Sequence, residues 1–270
     1  MAIDDLLAPF AAHLRQESRS PRTIRDYQRC VVALDRDLPF GADIACEEEL
    51  RDWLWRDGLA ASSRAVYHAA IRCFYGWAHG RGIIDFDPSA GIPRPVVKVG
   101  LPRVATDAQV RTILTEAREP YLLWAKLACY GGLRCIEIWR LHREHVTEKA
   151  TSVHRGKGEK ARILPTHPVV WDAVKDLPSG PLARVADEHQ LSTNFLLHCQ
   201  EVLGLYGVSM HRLRGWMATT SYAKTKDVRA LQRALGHANL ATTARYIAVA
   251  DEQLQAIIDS LPTFGEGDAA

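Results

Sequence analysis

The chain has 270 residues, of which 47% are apolar and 24% charged, which is enough for two domains that each bury a core. No apolar run approaches the ~18 residues that span a bilayer, and the opening MAIDDLLAPF puts acids where a secretory leader carries positive charge. The expectation is therefore a protein of the bacterial cytoplasm or nucleoid, with no membrane partner.

Six cysteines (30, 46, 73, 129, 135 and 199) follow neither a CxxC nor a zinc spacing, and they read as reduced small hydrophobes. The net charge of +2 is unevenly spread. Residues 101–250 carry 21 Lys and Arg against 13 Asp and Glu, whereas the last twenty residues carry five acids and no base. A basic middle suits a polyanionic partner such as nucleic acid, although a normally solvated surface gives the same count.

Up to Gly80 the pattern is helical. Ser20-Pro21 opens a helix whose apolar positions are Ile24, Tyr27, Val31 and Leu34. A second helix runs from Ser62 to Trp77, with Val66, Ala70, Cys73, Phe74 and Trp77 on one face. Arg64, Tyr67, His68 and Arg72 lie off that face and, with Arg25 on the earlier helix, are candidates to meet DNA; ordinary surface polarity is the alternative. Four prolines (88, 93, 95 and 102) and two glycines exclude a regular helix over 85–103, which reads as an interdomain linker. The expected domains are thus 1–84 and 104–262, with 263–270 a disordered tail.

Thr106 to Gln109 forms a capping box that opens the second domain. Helices are expected near 120–131 and 134–142. A β-hairpin follows over 150–166, its turn carrying Lys157 together with Arg155 and Lys160, two further candidates to meet DNA. Helices return near 168–177, 190–204, 211–224, 227–235, 240–249 and 251–260. The fold class is mainly α with a small β-sheet: a helical first domain and an α+β second one.

The polar residues of this second domain are weak signals singly. Arg134 could pair with Glu137 three residues on, and Lys157 at a hairpin tip could simply be solvated. His211 and Arg214 share a helix face. His237 follows the helix stop Leu235-Gly236, and Tyr246 lies on the next helix. In order, however, GLRxxE, GKG, HxLR, LGH and a tyrosine nine residues past that histidine form a specific set. The strings YGGLRCIEI, MHRLRGWMATT and LGHANLATTARYI, preceded by SPRTIRDYQR and SSRAVYHAAIRCFYGWAHGRGIIDFDPSAGI, resemble the tyrosine recombinase family. That family includes phage integrases and chromosome-dimer-resolving recombinases. The resemblance covers about residues 3–260.

The resemblance implies a helical core-binding (SAM-like) DNA-binding domain followed by an integrase-type catalytic domain. It implies that Tyr246 attacks a DNA phosphodiester to give a 3′-phosphotyrosine. Arg134 and Arg214 would hold the phosphate, His211 and His237 would support them, and Lys157 would be the general acid. Guanidinium forks suit that task because they match phosphate oxygens bidentately. Neither a metal nor a nucleotide cofactor is implied. Partners would be duplex recombination sites and three further copies of the chain in a homotetramer on two duplexes. The free protein would be a monomer or weak oligomer, and a directionality factor is a candidate partner. The expected role is phage or mobile-element integration and excision. Chromosome-dimer resolution, type IB topoisomerase-like nicking and resealing, and DNA binding without cleavage are the alternatives. Two positions depart from the family: Gly215 where a histidine is common, and His145 where an aspartate is common. The stripe Leu254, Ile257, Ile258 and Leu261 could dock on a neighbouring copy or on its own domain, and the Ala-Ala end suggests a protease tag.

Overall fold

In the computed structural model, residues 3–97, 100–154, 161–237 and 240–247 are described. The chain divides into two compact units, residues 1–100 and 101–270. The expectations for Arg155, Lys157, Lys160, the 251–260 stripe and the 263–270 tail all fall outside the described residues.

The first unit contains α1 (Ile3–Gln16), α2 (Pro21–Asp37), α3 (Glu47–Trp55) and α4 (Ala61–Gly80). The Ser20 hydroxyl accepts the Thr23 N–H at 3.1 Å, so the sequence signal for the start of α2 acts as a real cap. The core is built from Phe10 and Leu14 of α1, Val31 and Leu34 of α2, Leu50 and Leu54 of α3, and Ile71 and Phe74 of α4. Each such side chain contributes about 1.5–3 kcal/mol on burial. Phe10 meets Phe74 edge-on with ring centroids 5.3 Å apart.

The expected linker is shorter than its prolines suggest. Ile92 is buried in the first core, and the His68 ring bonds the Ile92 carbonyl at 3.0 Å. Asp87 caps Ser89 through both its N–H (2.8 Å) and its hydroxyl (2.5 Å). Proline forbids a helix here but not packing, so residues 87–92 belong to the first unit.

The second unit contains α5 (Asp107–Glu116), α6 (Tyr121–Cys129), α7 (Cys135–Trp139), a 3-10 turn (Arg143–His145), β1 (Ala150–Val153), β2 (Arg162–Pro165), α8 (Pro168–Val174), α9 (Glu188–Glu201), α10 (Met210–Thr225), α11 (Val228–Leu235) and α12 (Leu240–Ile247). The helix expected over 134–142 stops at Trp139. Beyond it the backbone is taken by a neighbouring segment: Leu182 N–H donates to Leu141 O at 2.9 Å and Arg143 N–H to Gly180 O at 2.8 Å. The two strands pair antiparallel, from Ala150 opposite Pro165 to Val153 opposite Arg162. The main core holds Ile113, Trp124, Phe195 and Leu213. A smaller cluster of Ala218, Tyr222, Leu231, Leu235 and Tyr246 ties α10, α11 and α12 together. Among the described residues no helix is long and apolar enough to cross a membrane.

Candidate active site

The site is built where two glycine-closed chain reversals meet. Gly132, at φ +60°, ends the turn after α6 and delivers Arg134 to the N-cap of α7. Glu137, one turn into α7, accepts the Arg134 backbone N–H at 2.8 Å and its guanidinium at 2.9 Å. Gly236, at φ +62°, closes α11 in the left-handed conformation that glycine tolerates best. The carbonyls that end α11 therefore lack helical donors.

Three arginines supply those donors. Arg162 Nε–H donates to Ala234 O at 3.1 Å, Arg214 Nη2 to Leu235 O at 2.6 Å, and Arg134 Nη2 to Gly236 O at 3.4 Å. The negative end of the helix dipole thus faces three guanidiniums. On their other side stands Glu137, 5% exposed. It accepts both terminal nitrogens of Arg162, at 2.6 and 2.9 Å, and a longer contact from Arg214 at 3.5 Å. Burial alone would raise its pKa. The Arg162 hydrogen bonds, the Arg134 N–H and the charges of Arg162 and Arg214 outweigh that and hold the carboxyl at about 2.

Arg214 is 1% exposed and also donates to the Gly132 carbonyl. Burial and the Arg134 charge lower its pKa to about 9 against the opposing pull of Glu137, so it stays charged at neutral pH. Its Nη2 also lies 3.2 Å from His237 Nε2. A guanidinium can only donate, so His237 Nε2 bears a lone pair and Nδ1–H points to Thr243 Oγ1 at 2.9 Å.

Tyr246, on α12, is 4% exposed, and its hydroxyl lies 3.3 Å from His211 Nε2. Burial raises the phenol pKa and outweighs the lowering by Arg214, Arg245 and Arg134. Desolvation lowers the His211 pKa, as do the charges of Arg214, Arg134 and Arg245; these charges are the firmer cause for a residue still open to solvent. A protonated phenol therefore faces a neutral imidazole able to take its proton.

Five of the six residues singled out in the sequence thus converge; Lys157 lies outside the described residues. Arg162 escaped the sequence reading, where its only signal was its place at the foot of the hairpin.

The DNA candidates of the first unit fare differently. Arg25 is exposed, in a shallow groove with Arg29 and Arg36. Arg64 instead donates to the carbonyls of Leu54 (2.8 Å) and Leu59 (3.2 Å), closing the end of α3. Tyr67 stacks on Trp53 with centroids 5.1 Å apart, and Arg72 pairs with Asp87 at 3.3 Å. These three have intramolecular roles, because polarity along a helix does not reveal which groups a neighbouring loop or helix end will claim. His68 is likewise buried.

Both departures from the family pattern have local explanations. His145 Nδ1 accepts the His142 N–H at 3.2 Å, a contact a carboxylate could equally make. Burial and the neighbouring His154 and His142 lower its pKa, which keeps that lone pair available. A Cβ on Gly215 would lie 2.9 Å from Val104 Cγ1 and 3.2 Å from Tyr246 Cε1, so the missing side chain makes room for the tyrosine ring.

The phage integrase family model matches residues 103–253, more than half of the chain. The chain belongs to this family of tyrosine recombinases. It is 31% identical to tyrosine recombinase XerC of Rhodospirillum centenum, over 91% of this chain and 82% of that one. Tyrosine recombinase XerA of Thermococcus onnurineus is 30% identical over 94% of each. Among solved structures, a lambda integrase dimer bound to a COC′ core site superposes with a TM-score of 0.75 at 16% identity, over 98% of this chain and 81% of that one. XerH bound to a palindromic difH substrate gives 0.67 at 16% identity, over 93% and 84%. Both likenesses establish a shared integrase-type fold. Among the described residues, no group of three or more His, Cys, Asp or Glu is placed to hold a metal ion.

Proposed function

We propose that the chain is a site-specific DNA recombinase that cleaves and rejoins strands through a 3′-phosphotyrosine at Tyr246. The observation that carries this reading is the convergence of two arginine forks and two histidines on one buried tyrosine. In the cleavage step the Tyr246 oxygen bonds to phosphorus and its proton passes to His211 Nε2. The phosphorus bond to the 5′ oxygen breaks, and that oxygen takes a proton from Lys157. Arg134 and Arg214 hold the charge that grows on the non-bridging oxygens as preorganised donors, with His237 seated against Arg214. Rejoining is the reverse attack by a 5′ hydroxyl, so the phosphate bond is kept throughout.

The partners we assign are duplex recombination sites and three further copies of the chain, by analogy with a lambda integrase tetramer bound to a Holliday junction. The site of action is the cytoplasm. Between integration and chromosome-dimer resolution, the Xer names of the curated relatives, at 27–31% identity over nearly the whole chain, favour resolution. Integration, the sequence-based preference, stays consistent with membership of the family.

A random library of nicked suicide duplexes, incubated without metal or ATP, tests the function. Covalent complexes should form, and sequencing their DNA should return one preferred site. A plasmid carrying two copies of that site should then recombine. Relaxation alone would indicate a topoisomerase, and binding without attachment would indicate a non-cleaving protein.

The space at Gly215 gives a further expectation. Gly215→Ala should slow cleavage about tenfold, inside the ~10²-fold that a 1 Å misplacement can cost. Alanine in a helix should by itself stabilise by roughly 0.5–1 kcal/mol, so a lowered melting temperature would locate the clash. An unchanged single-turnover rate would mean that the tyrosine ring is not constrained there.

A further inference from the structure

Arg162 belongs to the same frame as the two phosphate-binding arginines, yet its donors are spent differently. Both terminal nitrogens form a fork on Glu137 at 2.6 and 2.9 Å, and Nε–H is fixed on Ala234 O at 3.1 Å. Arg134 puts one terminal nitrogen on Glu137, and Arg214 only grazes it at 3.5 Å. Three guanidiniums surround one carboxylate, and Arg162 takes the bidentate place.

We propose that Arg162 is a positioning residue for strand cleavage: by forking onto both oxygens of Glu137 it limits that carboxylate to one terminal nitrogen of Arg134 and a 3.5 Å contact with Arg214, leaving their remaining donors for a phosphate. Without Arg162, the Glu137 oxygens would turn to the nearest remaining guanidinium and neutralise it. A phosphate would then meet one effective fork instead of two. The bond to Ala234 O adds a second link, joining strand β2 to the helix end that seats the other arginines. This inference rests on the proposed cleavage activity and assigns Arg162 no contact with DNA.

The test uses single-turnover cleavage of a nicked suicide duplex by the full chain, with DNA affinity measured separately. Arg162→Gln should slow cleavage at saturating DNA by about tenfold or more, a fraction of the ~10²–10³ that loss of a whole preorganised donor costs, with affinity nearly unchanged. Glu137→Gln removes the competing charge. In that background, adding Arg162→Gln should change the rate by less than about twofold, because nothing remains to be held back. A double variant about tenfold slower than Glu137→Gln alone would overturn the proposal, as would a full rate in Arg162→Gln or a loss of affinity in step with its rate. If Arg162→Gln does not fold, the comparison of Glu137→Gln with the double variant still decides, because Arg162 is then removed together with the carboxylate it holds, while Arg214 keeps its carbonyl acceptors at Gly132 and Leu235. A wild-type chain that forms no covalent adduct would sink the cleavage function itself, and this inference with it.

Discussion

Tyr246→Phe should abolish covalent attachment to DNA while leaving affinity for the same duplex nearly unchanged. The substitution removes one oxygen and keeps the ring that fills the cluster with Ala218, Tyr222, Leu231 and Leu235. The hydroxyl's bond to His211, at 3.3 Å, is long and contributes little to stability beside the buried ring. Folding and binding should therefore survive, and chemistry should not. Gel-shift and denaturing-gel assays on one duplex separate the two outcomes. Adducts persisting in the variant would move the nucleophile elsewhere, with Tyr222 the first residue to test.

Arg214→Lys should reduce cleavage by at least ~10²-fold, the scale of losing one preorganised donor. Lysine keeps the charge but has a single nitrogen, whereas Arg214 spreads its contacts over the Gly132 and Leu235 carbonyls, Glu137 and His237. Charge retention spares most of the cost of stranding Glu137, which Arg134 and Arg162 also hold. The loss should thus appear in the rate more than in the melting temperature. The same substitution at Arg134, 34% exposed, should also slow cleavage. Near-wild-type cleavage by either lysine variant would remove that arginine from the site.

Local signals in the sequence are reliable where local chemistry decides. The Ser20 and Thr106 caps start α2 and α5 as expected, and the Gly236 stop ends α11. The catalytic candidates were legible through their order along the chain, because each sits at a turn or helix end marked by glycine or by a helix period. Contacts across long separations were not legible. Arg162 and Glu137 lie 25 residues apart, and nothing in ARIL marks its arginine as the partner of a carboxylate in GLRCIEI. Arg64 looked like a solvent-facing cation until the end of α3 came to rest beneath it. The position of Gly215 was visible as a departure, but its meaning depended on Val104 and Tyr246 arriving from opposite ends of the domain.

The proposed function requires that Tyr246 become joined to DNA, and mapping the covalent adduct measures this. The wild-type chain would be trapped on a suicide duplex, digested with trypsin and nuclease, and the nucleotide-bearing peptide sequenced by mass spectrometry. Cleavage after Arg245 should give a peptide beginning at Tyr246 and carrying a 3′-linked nucleotide on that residue. A nucleotide on any other side chain, or DNA strands cut with no peptide modified, would rule out Tyr246 as the nucleophile.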